Sequence, residues 1–161
     1  MSYLSILKIG GSVITEKGRE SSARYDEMQR VSEEIAKTRK TDLVLVHGAG
    51  SFGHIPADKY DLNRTFNPKG ILVTHNTVKE LNRIFLDILS KEGLHVVPVH
   101  PMGCTVLANG RIKSMFTEGI ELMLEKRTIP VLHGDVVFDE KVGVKILSGD
   151  QLVSYLARNM K

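Results

Sequence analysis

The chain has 161 residues, of which 42% are hydrophobic and 25% charged, and this length suits one domain, predicted to span residues 1–161. Its formal net charge of +3 is not gathered into a basic block, which argues against nucleic acid as a partner, and no apolar stretch is long enough to enter a membrane. The dispersed positive charge favours small anionic substrates. The single cysteine, Cys104, excludes an internal disulfide and a paired metal-ligand motif, so we expect a cytoplasmic protein.

Short apolar runs alternate with amphipathic stretches along the chain. In chain order, the predicted elements are a strand at 4–9, a helix near 24–39, a strand at 43–47, a helix near 71–91, a strand at 95–99, a helix near 117–126, strands at 129–132, 136–138 and 144–147, and a helix at 150–160. This alternation is typical of an α/β fold with a largely parallel sheet. Because the run 43–46 is wholly apolar, we expect helices on both faces of the sheet.

The first predicted strand ends in Gly10-Gly11-Ser12. Glycines at a strand end let a phosphate approach the backbone closely. Lys8 interrupts the apolar run just before the strand ends. It is either an edge-strand charge that discourages pairing or a cation aimed at the anion that the glycines approach. Lys17, in the following turn, is a second candidate cation.

The second strand ends in a longer glycine turn, residues 48–54, which His54 closes. Successive N–H groups in such a turn can point at one anion, although a glycine turn without any ligand is the alternative. The spacing Gly48-x-Gly50-x-x-Gly53 also fits the dinucleotide fingerprint, which requires a following helix and an acidic residue about 20 residues on. No helix is predicted after Gly53, and residues 67–79 contain no Asp or Glu, so nicotinamide binding is disfavoured.

The sequence of strand, glycine and aspartate recurs twice, at Gly134-Asp135 and at Gly149-Asp150. Asp150 lies in the first turn of the last predicted helix, where its carboxylate interacts favourably with the helix dipole. The same carboxylate can hold nearby lysines in place, and the two roles can coexist. Ligands of parallel sheets collect at the carboxyl ends of the strands, so we expect all four loops to meet at one edge.

These segments together resemble the amino acid kinase superfamily and, within it, the archaeal-type isopentenyl phosphate kinases. The segments that carry the resemblance are residues 6–12, 47–54, 134–135 and 147–150. His54 separates the match from the carbamate, acetylglutamate and uridylate kinases, whereas the fosfomycin kinases share this histidine. The resemblance implies a three-layer αβα sandwich, a homodimer, and transfer of the ATP γ-phosphoryl group to isopentenyl phosphate, a prenyl monophosphate.

The resemblance also implies residue roles. The catalytic residues would be Lys8, Lys17, His54 and Asp150. The nucleotide phosphates would be bound by Lys8, Gly10, Gly11 and Ser12. The acceptor would be bound by Gly48, Ala49, Gly50, Gly53, His54, Gly134 and Asp135. Mg²⁺ would arrive with the ATP phosphates, and no metal site made of protein residues is expected. Ile84 and Phe85, on the predicted helix near 71–91, would border the prenyl tail. The other apolar residues of this helix, which also carries His75, would pack in the core.

The resemblance covers the N-terminal half of such kinases, so the C-terminal portion of the fold is expected to be absent. The chain alone is therefore expected to be unstable or to self-associate through an open sheet edge. Three alternatives stay open. They are another small-molecule kinase of the superfamily, such as a fosfomycin or carboxylate kinase, a catalytically incomplete ligand-binding fragment, and the disfavoured dinucleotide-binding oxidoreductase.

Overall fold

Two four-stranded sheets organise residues 3–160, the part of the chain that the structure, a computed structural model, describes. In chain order the strands are β1 (Ser5–Ile9), β2 (Leu43–His47), β3 (Val96–Pro98), β4 (Thr105–Ala108), β5 (Arg111–Met115), β6 (Ile129–His133), β7 (Asp135–Asp139) and β8 (Gly143–Leu147). The helices are α1 (Gly11–Ile14), α2 (Tyr25–Lys37), α3 (Gly50–Lys59), α4 (Pro68–Lys91), α5 (Pro101–Cys104), α6 (Glu118–Glu125) and α7 (Gly149–Asn159). The first sheet is parallel, in the order β1-β2-β6-β3, and the second has the order β5-β4-β7-β8.

Helices cover both faces of the parallel sheet, because the side chains of its central strands point alternately to the two sides. Leu43 and Leu45 of β2 pack in one hydrophobic cluster with residues of α2 and α4. Val44 and Val46 pack in a second cluster with residues of α6 and α7. Every residue of β2 is buried. The three-layer αβα arrangement with a parallel sheet is therefore confirmed.

Local signals explain where the long helices begin. The Asn67 side chain accepts a hydrogen bond of 2.9 Å from the Gly70 N–H at the start of α4, and Pro68 occupies the first helical position. The Ser148 hydroxyl accepts from the Gln151 N–H at the start of α7. The predicted strands and helices are found with ends within three residues of those expected.

One expectation about the second glycine loop is wrong. Helix α3 begins at Gly50, inside the loop, and runs to Lys59 with Pro56 in its interior. The sequence conceals it because two glycines, a proline and a weak apolar periodicity all argue against a helix. A helix therefore does follow the glycine motif, and the case against a dinucleotide site rests on the missing acidic residue alone.

The hairpin formed by β4 and β5 was not predicted either. Its turn is Asn109-Gly110, and both residues have positive φ angles, 50° and 75°. Such a pair is a strong signal for a two-residue hairpin turn. The Asp139 carboxylate accepts hydrogen bonds from the N–H groups of both turn residues, at 3.1 and 2.6 Å. The sequence therefore contained the signal for this hairpin.

Candidate active site

A cleft of about 540 Å³ opens where β1 and β2 end. It is lined by the predicted site residues Lys8, Gly10, Gly11, Ser12, Lys17, Gly48, Ala49, Gly50, His54, Gly134 and Asp150. The strand register explains why these loops meet. Ile9 pairs with His47 and His47 pairs with His133, so that β1, β2 and β6 end at the same level. The Gly48 N–H donates to the Ile9 carbonyl, and the Gly134 N–H donates to the His47 carbonyl, each at 2.9 Å.

Two glycine loops touch through their backbones. The first glycine loop is residues 10–12, and the second glycine loop is residues 48–51, the first part of the glycine turn at 48–54. A Cβ atom added to Gly11 would lie 2.5 Å from the Gly50 nitrogen. A Cβ atom added to Gly48 would lie 2.5 Å from the Gly11 nitrogen. Both distances are far shorter than any real contact of a Cβ atom. Glycine is therefore required at these two positions by the close approach of the two loops.

Lys8 reaches the cleft and forms an ion pair there. Its Nζ lies 2.8 Å from Asp150 Oδ1, and the two side chains are 33% and 76% exposed. An ion pair so open to solvent adds little to the stability of the fold. Its effect is to hold the Lys8 ammonium at this position in the cleft. Ser148 supplies the side-chain cap of α7, which leaves the Asp150 carboxylate free to hold the lysine from the first turn of that helix.

His54 and Lys17 are exposed and lie on different parts of the cleft wall. His54 projects from α3, directly after the second glycine loop. Lys17 lies in the segment between α1 and α2, and an antiparallel bridge between Thr15 and Ala23 closes this segment into a short hairpin. Two cationic or hydrogen-bonding side chains thus face the cleft in addition to Lys8.

Two predicted site residues do not border the cleft. Gly53 is buried inside α3, where its N–H donates to the Ala49 carbonyl at 3.2 Å. A Cβ atom at this position would lie 2.4 Å from the Ala49 Cβ and 3.2 Å from a methyl carbon of Val78 on α4. The structure therefore gives Gly53 a packing role between α3 and α4, and its N–H is not available to a ligand.

Asp135 is the second of these residues, and its carboxylate is turned away from the cleft. It is 1% exposed and accepts hydrogen bonds from His75 Nδ1 at 3.0 Å, from the Met102 N–H at 3.3 Å and from the Val136 N–H at 2.8 Å. His75 stands 60 positions away in sequence, and this partnership was not foreseen. Asp135 therefore ties β7 to α4 and α5.

Phe85 lies in the core and not on a ligand pocket. Its side chain is fully buried in the cluster under β2 and meets the His47 ring edge-on at 5.8 Å between centroids. Ile84 packs against the same cluster. Neither residue lines the cleft. The apolar part of the cleft wall comes from Ile55, Ile146 and Leu147.

Two buried histidines end the neighbouring strands β2 and β6 and have the same arrangement. His47 Nδ1 donates to the Gly48 carbonyl at 2.9 Å, and His133 Nδ1 donates to the Gly134 carbonyl at 3.0 Å. Burial lowers the pKa of His47 and, still more, the pKa of His133, so both rings are neutral near neutral pH. Each neutral ring then has Nε2 as an acceptor.

The partners of these two Nε2 atoms follow from this tautomer. His100 Nδ1 lies 2.8 Å from His133 Nε2 and must donate to it. The structure places Asn82 Oδ1 2.9 Å from His47 Nε2 and leaves Asn82 Nδ2 without a partner. Because two acceptors cannot form a hydrogen bond, we assign the Asn82 amide in the reversed orientation, in which its NH₂ group donates to His47 Nε2. The two rings thus hold the carbonyls of Gly48 and Gly134, the glycines that open onto the cleft.

The buried histidines predict a pH dependence of stability. In the unfolded chain their pKa is about 6.5, whereas burial keeps both below that value in the folded chain. Below pH about 6.5 the unfolded state therefore binds more protons, and stability falls as the pH falls, by up to about 1.4 kcal/mol per pH unit for each histidine.

Urea unfolding at several pH values between about 7.5 and about 5.5 measures this slope before most carboxylates titrate. Burial also lowers the pKa of His100, so three histidines contribute to the slope. A His47→Asn variant, whose amide can still donate to the Gly48 carbonyl, should lose about a third of it. A wild-type unfolding free energy that stays constant across this range would contradict the assignment of neutral, buried rings.

Within residues 3–160, no group of three or more His, Cys, Asp or Glu side chains is arranged to hold a metal ion. None of the helices in the same range is long and apolar enough to cross a membrane.

A sequence profile described as the amino acid kinase family matches residues 4–161. The chain belongs to the amino acid kinase family. The likeness extends to curated isopentenyl phosphate kinases. The chain is 34% identical to the one from Methanocaldococcus jannaschii, over 98% of this chain and 65% of that protein. It is 37% identical to the one from Methanothermobacter thermautotrophicus, over 94% of this chain and 61% of that protein. The chain thus spans a little under two thirds of these relatives.

Solved structures of isopentenyl phosphate kinases are closely similar in fold to this chain. A crystal structure of isopentenyl phosphate kinase superposes with a TM-score of 0.92 at 36% identity, over 98% of this chain and 68% of that one. A product complex of the Thermoplasma acidophilum isopentenyl phosphate kinase gives a TM-score of 0.86 at 28% identity, over 98% of this chain and 66% of that one. The glycine loops and cleft described above therefore lie on an amino acid kinase scaffold.

Proposed function

We propose that the protein transfers the γ-phosphoryl group of ATP to the phosphate of isopentenyl phosphate. The observation that carries this proposal is the position of Lys8, whose ammonium enters the same cleft as two touching glycine loops and is held there by Asp150 at 2.8 Å. Donor and acceptor are both polyanions, so a site that brings them together needs backbone N–H groups and cations more than it needs a nucleophile. The similarity to isopentenyl phosphate kinases supports the choice of acceptor.

In the proposed reaction, the bond between the γ-phosphorus and the oxygen that bridges to the β-phosphate breaks. A phosphate oxygen of isopentenyl phosphate forms the new P–O bond, and the products are ADP and isopentenyl diphosphate. The acceptor attacks as a dianion, so no proton has to be removed. The first glycine loop would receive the nucleotide phosphates and the second would receive the acceptor phosphate. Lys8 and Lys17 would offset the charge that develops on the moving group.

Mg²⁺ belongs to the same proposal, bound through the ATP phosphates. Magnesium keeps several water ligands and is commonly held by substrate phosphates with few protein carboxylates. The exposed Asp150 carboxylate at the cleft is compatible with that arrangement. When bound, the ion would neutralise charge on the transferred group. A cytoplasmic location and a homodimer are also proposed. The location is supported by the single cysteine, and the homodimer is supported by the family resemblance.

A panel of acceptors tests the proposed substrate. Isopentenyl phosphate, fosfomycin and aspartate are each incubated with the chain and Mg-ATP, and product is followed by phosphorus NMR. The apolar side chains of Ile55, Ile146 and Leu147 on the cleft wall favour the prenyl compound over a charged carboxylate acceptor. Phosphorylation of fosfomycin or aspartate in preference to isopentenyl phosphate would assign the protein to another small-molecule kinase.

His54 is expected to matter for the acceptor. It projects into the cleft next to the second glycine loop, where its ring can donate a hydrogen bond to an acceptor phosphate oxygen. Removing one preorganised donor of this kind typically lowers the rate about 10²–10³-fold. We therefore expect His54→Ala to lose that factor in kcat/KM for isopentenyl phosphate and to bind isopentenyl phosphate more weakly in calorimetric titration.

His95→Ala is the matched control, because His95 is exposed and lies just before β3, at the opposite end of the parallel strands from the cleft. The control should keep the wild-type rate. A His54→Ala variant with near-native turnover would refute the role given to this histidine.

A further inference from the structure

We propose that Thr15 is a positioning residue that locks the two glycine loops together and so sets the distance between donor and acceptor phosphates. Thr15 follows α1 directly and is 2% exposed, yet it forms part of the cleft wall. It was not among the residues expected from the sequence. The consequence for catalysis rests on the proposed phosphoryl transfer, whereas the lock itself is a property of the fold.

The Thr15 hydroxyl joins the loops directly. Its Oγ1 donates to the Gly11 carbonyl at 2.8 Å and accepts from the Ser51 N–H at 3.1 Å. One bond therefore ends on the first glycine loop and the other on the second. A single buried hydroxyl used as donor and acceptor in this way fixes the relative position of both backbones.

The space around Thr15 shows how closely the loops are matched. A Cβ atom on Gly50 would lie 2.2 Å from Thr15 Oγ1 and 2.9 Å from the Gly11 carbonyl oxygen. Gly50 also has a φ angle of 51°, which favours glycine on conformational grounds. Thr15 therefore occupies the volume that Gly50 leaves open, and a larger side chain at either position would displace the other residue.

Ser51, whose N–H is bound by Thr15, also lines the cleft. Ser51 is 5% exposed, and its hydroxyl has no hydrogen-bond partner among residues 3–160 although Ser51 lines the cleft. An unpartnered buried hydroxyl at a cleft wall is available to a phosphate oxygen. By holding the Ser51 N–H, Thr15 fixes the position from which this hydroxyl would meet the acceptor.

Thr15 is itself held on the scaffold by its backbone. Its N–H donates to the Gly11 carbonyl at 2.9 Å, and it pairs with Ala23 in an antiparallel bridge. Loss of the hydroxyl therefore leaves the Thr15 backbone in place. What changes is the support for Ser51 and hence the separation of the loops.

Thr15→Val and Thr15→Ser separate the hydroxyl from the methyl group. In Thr15→Val the packing is conserved and the hydroxyl is lost. We expect kcat with isopentenyl phosphate and Mg-ATP to fall about 10²-fold, the typical effect of a misplacement of about 1 Å between reacting groups, while each KM changes less than threefold. Thr15→Ser keeps the hydroxyl and should recover kcat to within about threefold of wild type. Thr41→Val, an exposed position remote from the cleft, is the control.

A readout that needs no turnover distinguishes failure of the lock from failure of the proposed function. Inorganic tripolyphosphate lacks the nucleoside that anchors Mg-ATP on the donor side, so it can fill the donor and acceptor phosphate positions together, whereas orthophosphate fills one. Thr15→Val should bind tripolyphosphate about tenfold more weakly than wild type and orthophosphate equally well, and its Ser51 amide should exchange with solvent faster. Equal tripolyphosphate affinity in wild type and Thr15→Val, or equal losses in Thr15→Val and Thr15→Ser, would overturn the proposal. Absence of turnover in wild type, with the tripolyphosphate difference present, would instead count against the proposed reaction.

Discussion

Replacing Lys8 by methionine is expected to lower the rate of phosphoryl transfer about 10³-fold at saturating Mg-ATP, with a smaller effect on nucleotide affinity. Methionine is similar in length and flexibility, so the substitution removes the charge and little else. In the proposed reaction, the ammonium that Asp150 holds at 2.8 Å would stabilise charge that develops only as the phosphoryl group moves. Initial rates measured by phosphorus NMR, together with calorimetric titration of Mg-ATP, separate the two effects.

Two further variants make the Lys8 result specific. Asp150→Asn keeps the lysine charge but weakens its placement, so we expect a smaller loss, about tenfold. Lys113→Met removes an exposed lysine on β5 that pairs with Glu140, away from the cleft, and should leave the rate unchanged. A Lys8→Met enzyme within tenfold of wild type would show that the lysine does not contact the transferred group.

Adding a single methyl group at Gly48 is expected to have an effect nearly as large. The Cβ of Gly48→Ala would lie 2.5 Å from the Gly11 nitrogen and 2.9 Å from the Gly11 Cα. Because both atoms are backbone, no side chain can move aside, and the two glycine loops must separate by about 1 Å, which typically costs about 10²-fold in rate. Overpacking of this kind also costs about 1–3 kcal/mol of stability.

Gly103→Ala is the matched control for the steric argument. Gly103 lies in α5, and a Cβ atom added there would meet nothing within 4 Å. This variant should match or slightly exceed wild-type stability. Urea unfolding and initial rates are measured for both glycine variants. Wild-type activity in Gly48→Ala would mean that the loops are not in the close contact described.

Much of the site was predictable because parallel strands impose a simple geometry. When strands run in the same direction and stay in register, their carboxyl ends meet at one edge, and the glycines that follow Ile9 and His47 are brought together without any knowledge of the helices. The structure also places Lys8, His54 and Asp150 at the wall of this cleft, and the roles given to them stay predictions. The family resemblance assigned the roles that geometry alone left open.

The errors occur where local patterns compete. Helix α3 was missed because Gly50, Gly53 and Pro56 are poor helix residues, and packing against α4 outweighs their low propensity. Phe85 was expected beside a ligand and lies in the core. A helical repeat shows which residues share a face, but it does not show whether that face meets a ligand or a sheet.

By itself the sequence determined the α/β class, the parallel sheet, the glycine loops at the strand ends and the charged residues that accompany them, because these depend on periodicity and on short-range spacing. Only the tertiary structure decided which groups contact one another. Gly53 packs against α4, the Asp135 carboxylate accepts a hydrogen bond from His75, and the Thr15 hydroxyl bonds to both Gly11 and Ser51. In sequence, Ser51 lies 36 positions from Thr15, and His75 lies 60 positions from Asp135. Contacts over such separations depend on how the layers pack, and no local pattern contains that information.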